Sequence, residues 1–426
     1  MATSSSILCC YTLLIIFFFF LLIDLIEKNS LVSARWRARE YHLIDVESLL
    51  PNNSVGINPL GSSLSATVPI EEGIFFGTHK FIVTIYLGTP PFPYSLVFDT
   101  GNDVTWIQCI PCEKCYPQKD PIYNPFESST YASIRCHSDY CSQLNTYDCS
   151  WTDNCLYEVQ YRDGSYTKGY LVKDTLQFSN DIIKNFRYGC GQNNSFSVPK
   201  VDGILGFGRG PLSIISQTAQ SYDLVFSYCL PSKPGIIGYL SLGRDDAIHV
   251  QYTPMITSEM MPSFYFVKLI SITVGGDWSA HSPRVFKSPI TMLASGKKAM
   301  LDSGTVISRL PPIIYYGIRN TFRKYMANYP RAQSWGILDT CYNFTNYPDV
   351  NVKVPLITFE FDGGVIIKLD ISGILFGTTK SKQCLAFAAN KYASDKVIIG
   401  NVQLRTFNIV HDIKNLRIGF GADGCS

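Results

Sequence analysis

The sequence has little that would support the commoner hydrolytic or nucleic-acid chemistries. It holds six histidines in 426 residues and no His-Glu-x-x-His, so a zinc hydrolase would lack its usual ligands. No Gly-x-Ser-x-Gly is present, which removes the serine nucleophile of an α/β hydrolase. Neither charge dominates: 36 Lys and Arg stand against 34 Asp and Glu, with no basic run or aromatic-basic platform, so a nucleic-acid partner is not expected. Long Ala/Leu/Glu/Lys stretches are scarce, which argues against a helical architecture. Beyond residue 23 no apolar run is long enough to span a bilayer.

The one long apolar run, Ile7 to Ile23, is broken only by Thr12 and closed by Asp24. Val32-Ser33-Ala34 follows, and its small residues suit signal-peptidase cleavage after Ala34. Residues 1–34 are therefore read as a signal peptide, with a membrane anchor as the competing reading. After its removal no stable anchor remains, and a secreted, apoplastic or vacuolar product is expected. Cysteine usage agrees: of 14 Cys, Cys9 and Cys10 leave with the signal, and an even set in an exported chain reads as disulfides. Asn52, Asn193 and Asn343 open glycosylation sequons, each of which could equally be an unused surface triplet.

Residues 35–75 are a different material, ending in the Ser- and Gly-rich NNSVGINPLGSSLSATVP, and are read as a removable prosegment and linker, with order starting near Phe75. From there the pattern is β. Runs such as FIVTIYLGTP, YSLVFDTG, FYFVKLISITVGG, PLITFEF and KVIIGNV end in turn residues, and 26 Tyr with 26 Phe supply strand formers. Helical signals are confined to Ser213–Tyr222 and Pro312–Tyr329, where Ile314, Ile318 and Phe322 recur every four residues.

An approximate duplication organises the chain. VFDTGNDVTW (Val97–Trp106) carries apolar-Asp-Thr-Gly, and MLDSGTVISRL (Met300–Leu310) carries apolar-Asp-Ser-Gly-Thr. Each precedes an apolar-Gly segment by about 100 residues, GILGFG at 203–208 and VIIGN at 397–401. Two lobes, 76–250 and 251–426, would each bring one Asp loop to a shared cleft. A single Asp-[Thr/Ser]-Gly is weak evidence, with about 0.2 occurrences expected by chance from average composition. The bland reading of one copy is an Asx turn closing a strand. Two copies at matched spacing are far more specific.

Peptide hydrolysis without metal or covalent intermediate needs a base for water and an acid for the carbonyl oxygen. Asp99 and Asp302, a hydrogen bond apart, could supply both, since like charges that close cannot both ionise and the pair retains one proton. Gly101 and Gly304 would let backbone N–H groups approach the carboxylates, and the hydroxyls of Thr100 and Ser303 could cross-link the loops. No metal or cofactor is called for.

These motifs, with YRDGSYTKG, FRYGCGQNN, DGILGFGRGPLSIISQTAQ, VFSYCLP, GILDTCYNF and VIIGNVQLRTFNIVHD, resemble the pepsin-type aspartic proteases of plants, in the nepenthesin-like branch that also includes relatives of chloroplast nucleoid DNA-binding protein. The resemblance runs from about Phe81 to Cys425. It implies an all-β, bilobal pepsin-like fold with two pseudo-symmetric lobes, and a monomeric endopeptidase with an acid optimum acting on proteins or peptides. Asp99 and Asp302 match the catalytic dyad, supported by Thr100, Gly101, Asn102, Ser303, Gly304 and Thr305. Tyr161 matches the tyrosine of the flap that closes over substrate, and Trp106 the tryptophan that bonds it. Two positions depart from the pattern: Asn102 stands where a serine usually bonds the first aspartate, and Arg162 replaces a flap glycine. The alternative is a catalytically impaired scaffold serving as an inhibitor or binding protein.

Seven cysteines fall between Cys109 and Cys155, namely Cys109, Cys112, Cys115, Cys136, Cys141, Cys149 and Cys155. Their two-residue spacings also suit zinc, but only His137 is near and the exported context disfavours it. Spacing alone leaves the connectivity open. The resemblance implies 109–112, 115–190, 136–155, 141–149, 229–425 and 341–384, using Cys190, Cys229, Cys341, Cys384 and Cys425 for the remainder.

Overall fold

The computed structural model describes residues 65–198, 200–233, 235–243, 249–275, 290–348, 352–422 and 424–425. The expected signal peptide, most of the expected prosegment and Asn52 lie outside the described residues. No helix among the described residues is long and apolar enough to cross a membrane.

The architecture is all-β, and its plan is two copies of one local arrangement. Strand Phe92–Asp99 ends in a run of six buried residues, because it lies inside the molecule between Phe81–Leu87 and Gly203–Gly206. Gly203–Gly206 runs parallel to it, with Gly206 opposite Asp99. In the second half Ile290–Asp302 pairs in parallel with Val397–Gly400, and Gly400 stands opposite Asp302. The equivalence extends further: Gly206 N–H donates to Thr105 Oγ1 (3.0 Å), and Gly400 N–H donates to Ser308 Oγ (2.9 Å). Thr105 and Ser308 each follow their aspartate by six residues. The expected duplication is therefore a repeat of hydrogen bonds as well as of letters.

The halves are joined by a six-stranded ribbon, in the order Ser65–Glu72, Gly238–Gly243, Val225–Cys229, Asn408–Asp412, Arg417–Gly421 and Gln251–Ile256. Its centre is aromatic. Fully buried His411 stacks on Phe226 at 4.3 Å and meets Tyr265 edge-on at 4.4 Å. Neither ring nitrogen has a hydrogen-bond partner among the described residues, and burial pushes the imidazole down to about 3.

Order begins before Phe75. Ser65–Glu72 is a strand with Ala66, Val68 and Ile70 turned inward, paired with Gly238–Gly243 on one side and Phe81–Leu87 on the other. The alternation was present in the letters, but it sits at the end of a Ser- and Gly-rich segment that masks it. The helix expected at 312–329 runs Pro312–Tyr325, with proline in its first turn and Arg323 and Lys324 in its last, both suited to the helix dipole. Ile314, Ile318 and Phe322 face the core as their spacing required. Ser213–Tyr222 is two short helical pieces that meet at Thr218, whose hydroxyl bonds Ile214 O at 2.7 Å.

Candidate active site

The two Asp loops meet. Thr100 N–H donates to Ser303 Oγ (2.9 Å) and Ser303 N–H donates to Thr100 Oγ1 (3.0 Å), a reciprocal pair between residues 203 positions apart. Each hydroxyl then donates across to the other half, Thr100 to Leu301 O (3.4 Å) and Ser303 to Phe98 O (3.2 Å). Both side chains are fully buried, so all four groups must be satisfied internally, and this fixes the loops against each other.

Above this base each carboxylate lies against the glycine of the opposite loop. A Cβ at Gly304 would sit 2.4 Å from Asp99 Oδ1, and one at Gly101 would sit 3.1 Å from Asp302 Oδ1. Any larger residue at position 304 would displace the Asp99 carboxylate, and one at position 101 would crowd both aspartates. The carboxylates are not equally supported. Asp302 accepts from Gly304 N–H (3.0 Å), Thr305 N–H (3.2 Å) and Thr305 Oγ1 (2.6 Å), whereas Asp99 accepts from Gly101 N–H at 2.8 Å. Asp99 is only 7% exposed, and burial together with the charge of Asp302 pushes it up to about 7. Burial and the neighbouring carboxylate favour a proton on Asp99.

Asn102 does not take the place of a serine beside Asp99. Its amide donates to Val104 O (2.7 Å) and to Tyr161 Oη (3.2 Å) instead. The amide is thus directed to Tyr161 and Val104 rather than to the first aspartate. Trp106 Nε1 donates to the same Tyr161 oxygen at 2.7 Å. Tyr161 closes strand Cys155–Gln160, and a tight turn (Gly164 N–H to Tyr161 O, 3.1 Å) leads into Tyr166–Phe178. Gly164 takes the positive φ of 85°, so Arg162 needs none. Burial and the charge of Asp99 raise the Tyr161 phenol well above its ordinary value, so it stays a neutral hydroxyl.

Sequence reasoning overlooked two neighbours. The cation of Lys80 partly offsets the rise of Asp99, and it also reaches Asp163 on the flap. Half-buried Asp103 accepts from Gly210 N–H at 2.8 Å and fills the space that side chains at positions 208 and 210 would need. The only signal for it was its place four residues after Asp99, beside glycines a hundred positions away.

The disulfides are 109–190, 112–115, 136–149, 141–155, 229–425 and 341–384. The last two agree with the pairing the resemblance implied, and the other four replace 109–112, 115–190, 136–155 and 141–149. Strand register explains the change. Trp106–Gln108 runs parallel to Asp181–Ser195 with Ile107 opposite Cys190, which brings Cys109 beside Cys190 with Cα atoms 5.3 Å apart. Cys149 and Cys155 face each other on paired strands, and each takes its partner from the segment 136–141. Cys136, His137 and Cys149 lie within ligand distance of one another, but the bridge between the two cysteines leaves only the imidazole as a donor. Asn193 accepts from the Tyr166 hydroxyl at 3.1 Å, and Asn343 accepts from the hydroxyl of its sequon threonine, Thr345, at 2.6 Å. A separate cavity of about 950 Å³, lined by Glu72, His79, Asp370, Phe376 and Arg405 among others, does not include the dyad.

Two facing Asp loops under a tyrosine hairpin, on a duplicated β scaffold, define a pepsin-like architecture. Residues 81–244 match the family described as xylanase inhibitor N-terminal, and residues 264–422 the family described as xylanase inhibitor C-terminal. The chain is 40% identical over 375 residues to an aspartyl protease family protein of Arabidopsis thaliana, covering 86% of this chain and 77% of that protein. It is 31% identical over 373 residues to aspartic proteinase nepenthesin-2 of Nepenthes gracilis, covering 86% and 82%. The crystal structure of edgp superposes with a TM-score of 0.67 at 19% identity, covering 86% of this chain and 96% of the other. The chain belongs to the pepsin-like aspartyl protease family of plants.

Proposed function

We propose that the protein is an exported aspartic endopeptidase in which Asp99 and Asp302 hold a water between them and share one proton. The observation that carries this reading is the reciprocal Thr100–Ser303 bond with each carboxylate set against the opposite glycine. Asp302, which accepts from Gly304 N–H, Thr305 N–H and Thr305 Oγ1, takes a proton from the water. Asp99 gives its proton to the carbonyl oxygen, and buried surroundings strengthen that hydrogen bond as charge develops. Tyr161, held by Trp106 and Asn102, closes over an extended peptide. Thr100, Gly101, Ser303, Gly304 and Thr305 position the dyad, while Asn102 acts on the flap.

A second reading, a scaffold that binds protein without cutting it, is favoured by one observation: among the described residues Asp99 has only Gly101 as a donor, where a side-chain hydroxyl is usual. Incubation of the purified chain with a denatured protein at acid pH separates the two. Pepstatin-sensitive cleavage that disappears in Asp302→Asn, with the fold unchanged by circular dichroism, is expected; an inert wild type, or a fully active Asp302→Asn, would overturn the protease reading.

A further inference from the structure

Along strand Ile290–Asp302, residues Lys298, Met300 and Asp302 alternate onto one face, so the row that ends at the dyad begins with a cation. The neighbouring strands extend the row sideways. Met300 stands opposite Ile398 in parallel register and opposite Phe266 in antiparallel register, and these three pack as a small buried apolar cluster with Met261 and Phe264 on its edge. The same parallel register carries Lys396 to the side of Lys298, and Arg309 stands opposite Ile398 on the other flank. Lys396 Nζ lies 5.2 Å from the Phe266 ring centroid and 2.9 Å from Met261 Sδ. Lys298 Nζ donates to Thr257 O at 3.2 Å.

None of Lys298, Arg309, Lys396 or Arg162 has a carboxylate within ion-pair distance among the described residues. Lys268, in the same cross-strand row, is different, since it pairs with Asp362 at 3.7 Å. The flap adds to the imbalance. Asp163 at its tip turns to Ser197 (2.6 Å), and Arg162 acts on the other side: burial, then the charges of Lys298 and Arg162, hold the Lys396 ammonium below its ordinary value. Cations that depress one another are close, and unpaired like charges beside an apolar floor suit an anion better than they suit water alone.

We infer that Met300, Ile398 and Phe266 floor a substrate subsite rimmed by Lys298, Lys396, Arg309 and Arg162, which selects peptides carrying an acidic side chain two to four residues from the scissile bond on one side. The distance follows from strand rise: four residues from Asp302 to Lys298 span about 13 Å, the length of about four residues of an extended substrate. This rests on the protease reading for the direction of the peptide, but its charge preference is measurable without hydrolysis.

The test uses fluorescent peptides with a reduced, uncleavable central bond, bearing Glu or Lys at each of the four positions on either side, and reads binding at pH 5.5, where a Glu side chain is ionised. Two or three exposed pairs predict about ten-fold tighter binding for Glu than for Lys at positions on one side only, shrinking to about two-fold in 0.5 M salt. Lys298→Glu, an exposed change, should remove or invert the preference, and Arg162→Gly should weaken it. Equal binding of Glu and Lys peptides at low salt, a preference untouched by Lys298→Glu, or no binding of either peptide would overturn the inference. Charge-selective binding without cleavage of the parent peptides would overturn the protease reading alone, and cleavage without charge selection would overturn this inference alone.

Discussion

Replacing His411 by phenylalanine should stabilise the protein in acid far more than at neutral pH. The imidazole is fully buried between Phe226 and Tyr265, has no partner for either nitrogen among the described residues, and is pushed down to about 3 by that burial. In the unfolded chain it titrates near its ordinary value of about 6.5. Between those values the unfolded state binds a proton that the native state refuses, so native stability falls as the pH drops. Each pH unit in this window costs about 1.4 kcal/mol, so at pH 4 the penalty is on the order of 3 kcal/mol relative to pH 7.5. Phenylalanine matches the flat aromatic stack and removes the linkage. The assay is isothermal urea unfolding of both forms at pH 4 and pH 7.5 with disulfides intact. The quantity of interest is the change in the His411→Phe difference between the two pH values, in which every other titrating group cancels. The expected change is about 3 kcal/mol in favour of the variant at pH 4; an equal difference at both pH values would refute the neutral, unpaired imidazole.

Hydrolysis should decline as pH rises through about 7, because Asp99 then loses the proton it donates; kcat/KM measured from pH 3 to 9 checks this, and a rate undiminished at pH 9 contradicts it. Tyr161→Phe removes an oxygen that accepts from both Trp106 and Asn102, and should lower kcat/KM by about ten-fold; because Trp106 is fully buried, it should also cost about 1–3 kcal/mol by urea unfolding. Arg405 and Glu72 form an ion pair at 2.7 Å with side chains 7% and 6% exposed, so Arg405→Met should cost about 3–5 kcal/mol by urea unfolding. The paired change Arg405→Met with Glu72→Gln should recover much of that loss, and the double variant tests whether the Glu72 carboxylate, then left with His79 at 3.1 Å, is the cause.

Legibility followed the range of the interaction. The two Asp loops could be read because their chemistry lies within four consecutive residues, and the matched Gly206 and Gly400 confirmed the duplication through strand pairing. The hydrogen bond between Tyr161 and Trp106 was legible through resemblance. Asn102 was misassigned because letters do not show which way an amide points, and its donors pass Asp99 to reach Val104 and Tyr161. The cysteine pairing failed for the same reason: the Cys109–Cys190 contact is decided by the register of strands some eighty residues apart. The first strand was hidden by its Ser- and Gly-rich approach. The row of cations beside the dyad was invisible because Arg162, Lys298, Arg309 and Lys396 come from four separate segments.

The ribbon that joins the lobes has a consequence for synthesis on the ribosome. Val225–Cys229 receives one of its two neighbours from residues 408–412, and Cys229 its sulfur partner from position 425. The earlier-made half therefore emerges with an unzipped edge and a bare thiol until residues 408–425 follow. A chain lacking residues 408–425 would keep both open, so the earlier-made half cannot close on itself.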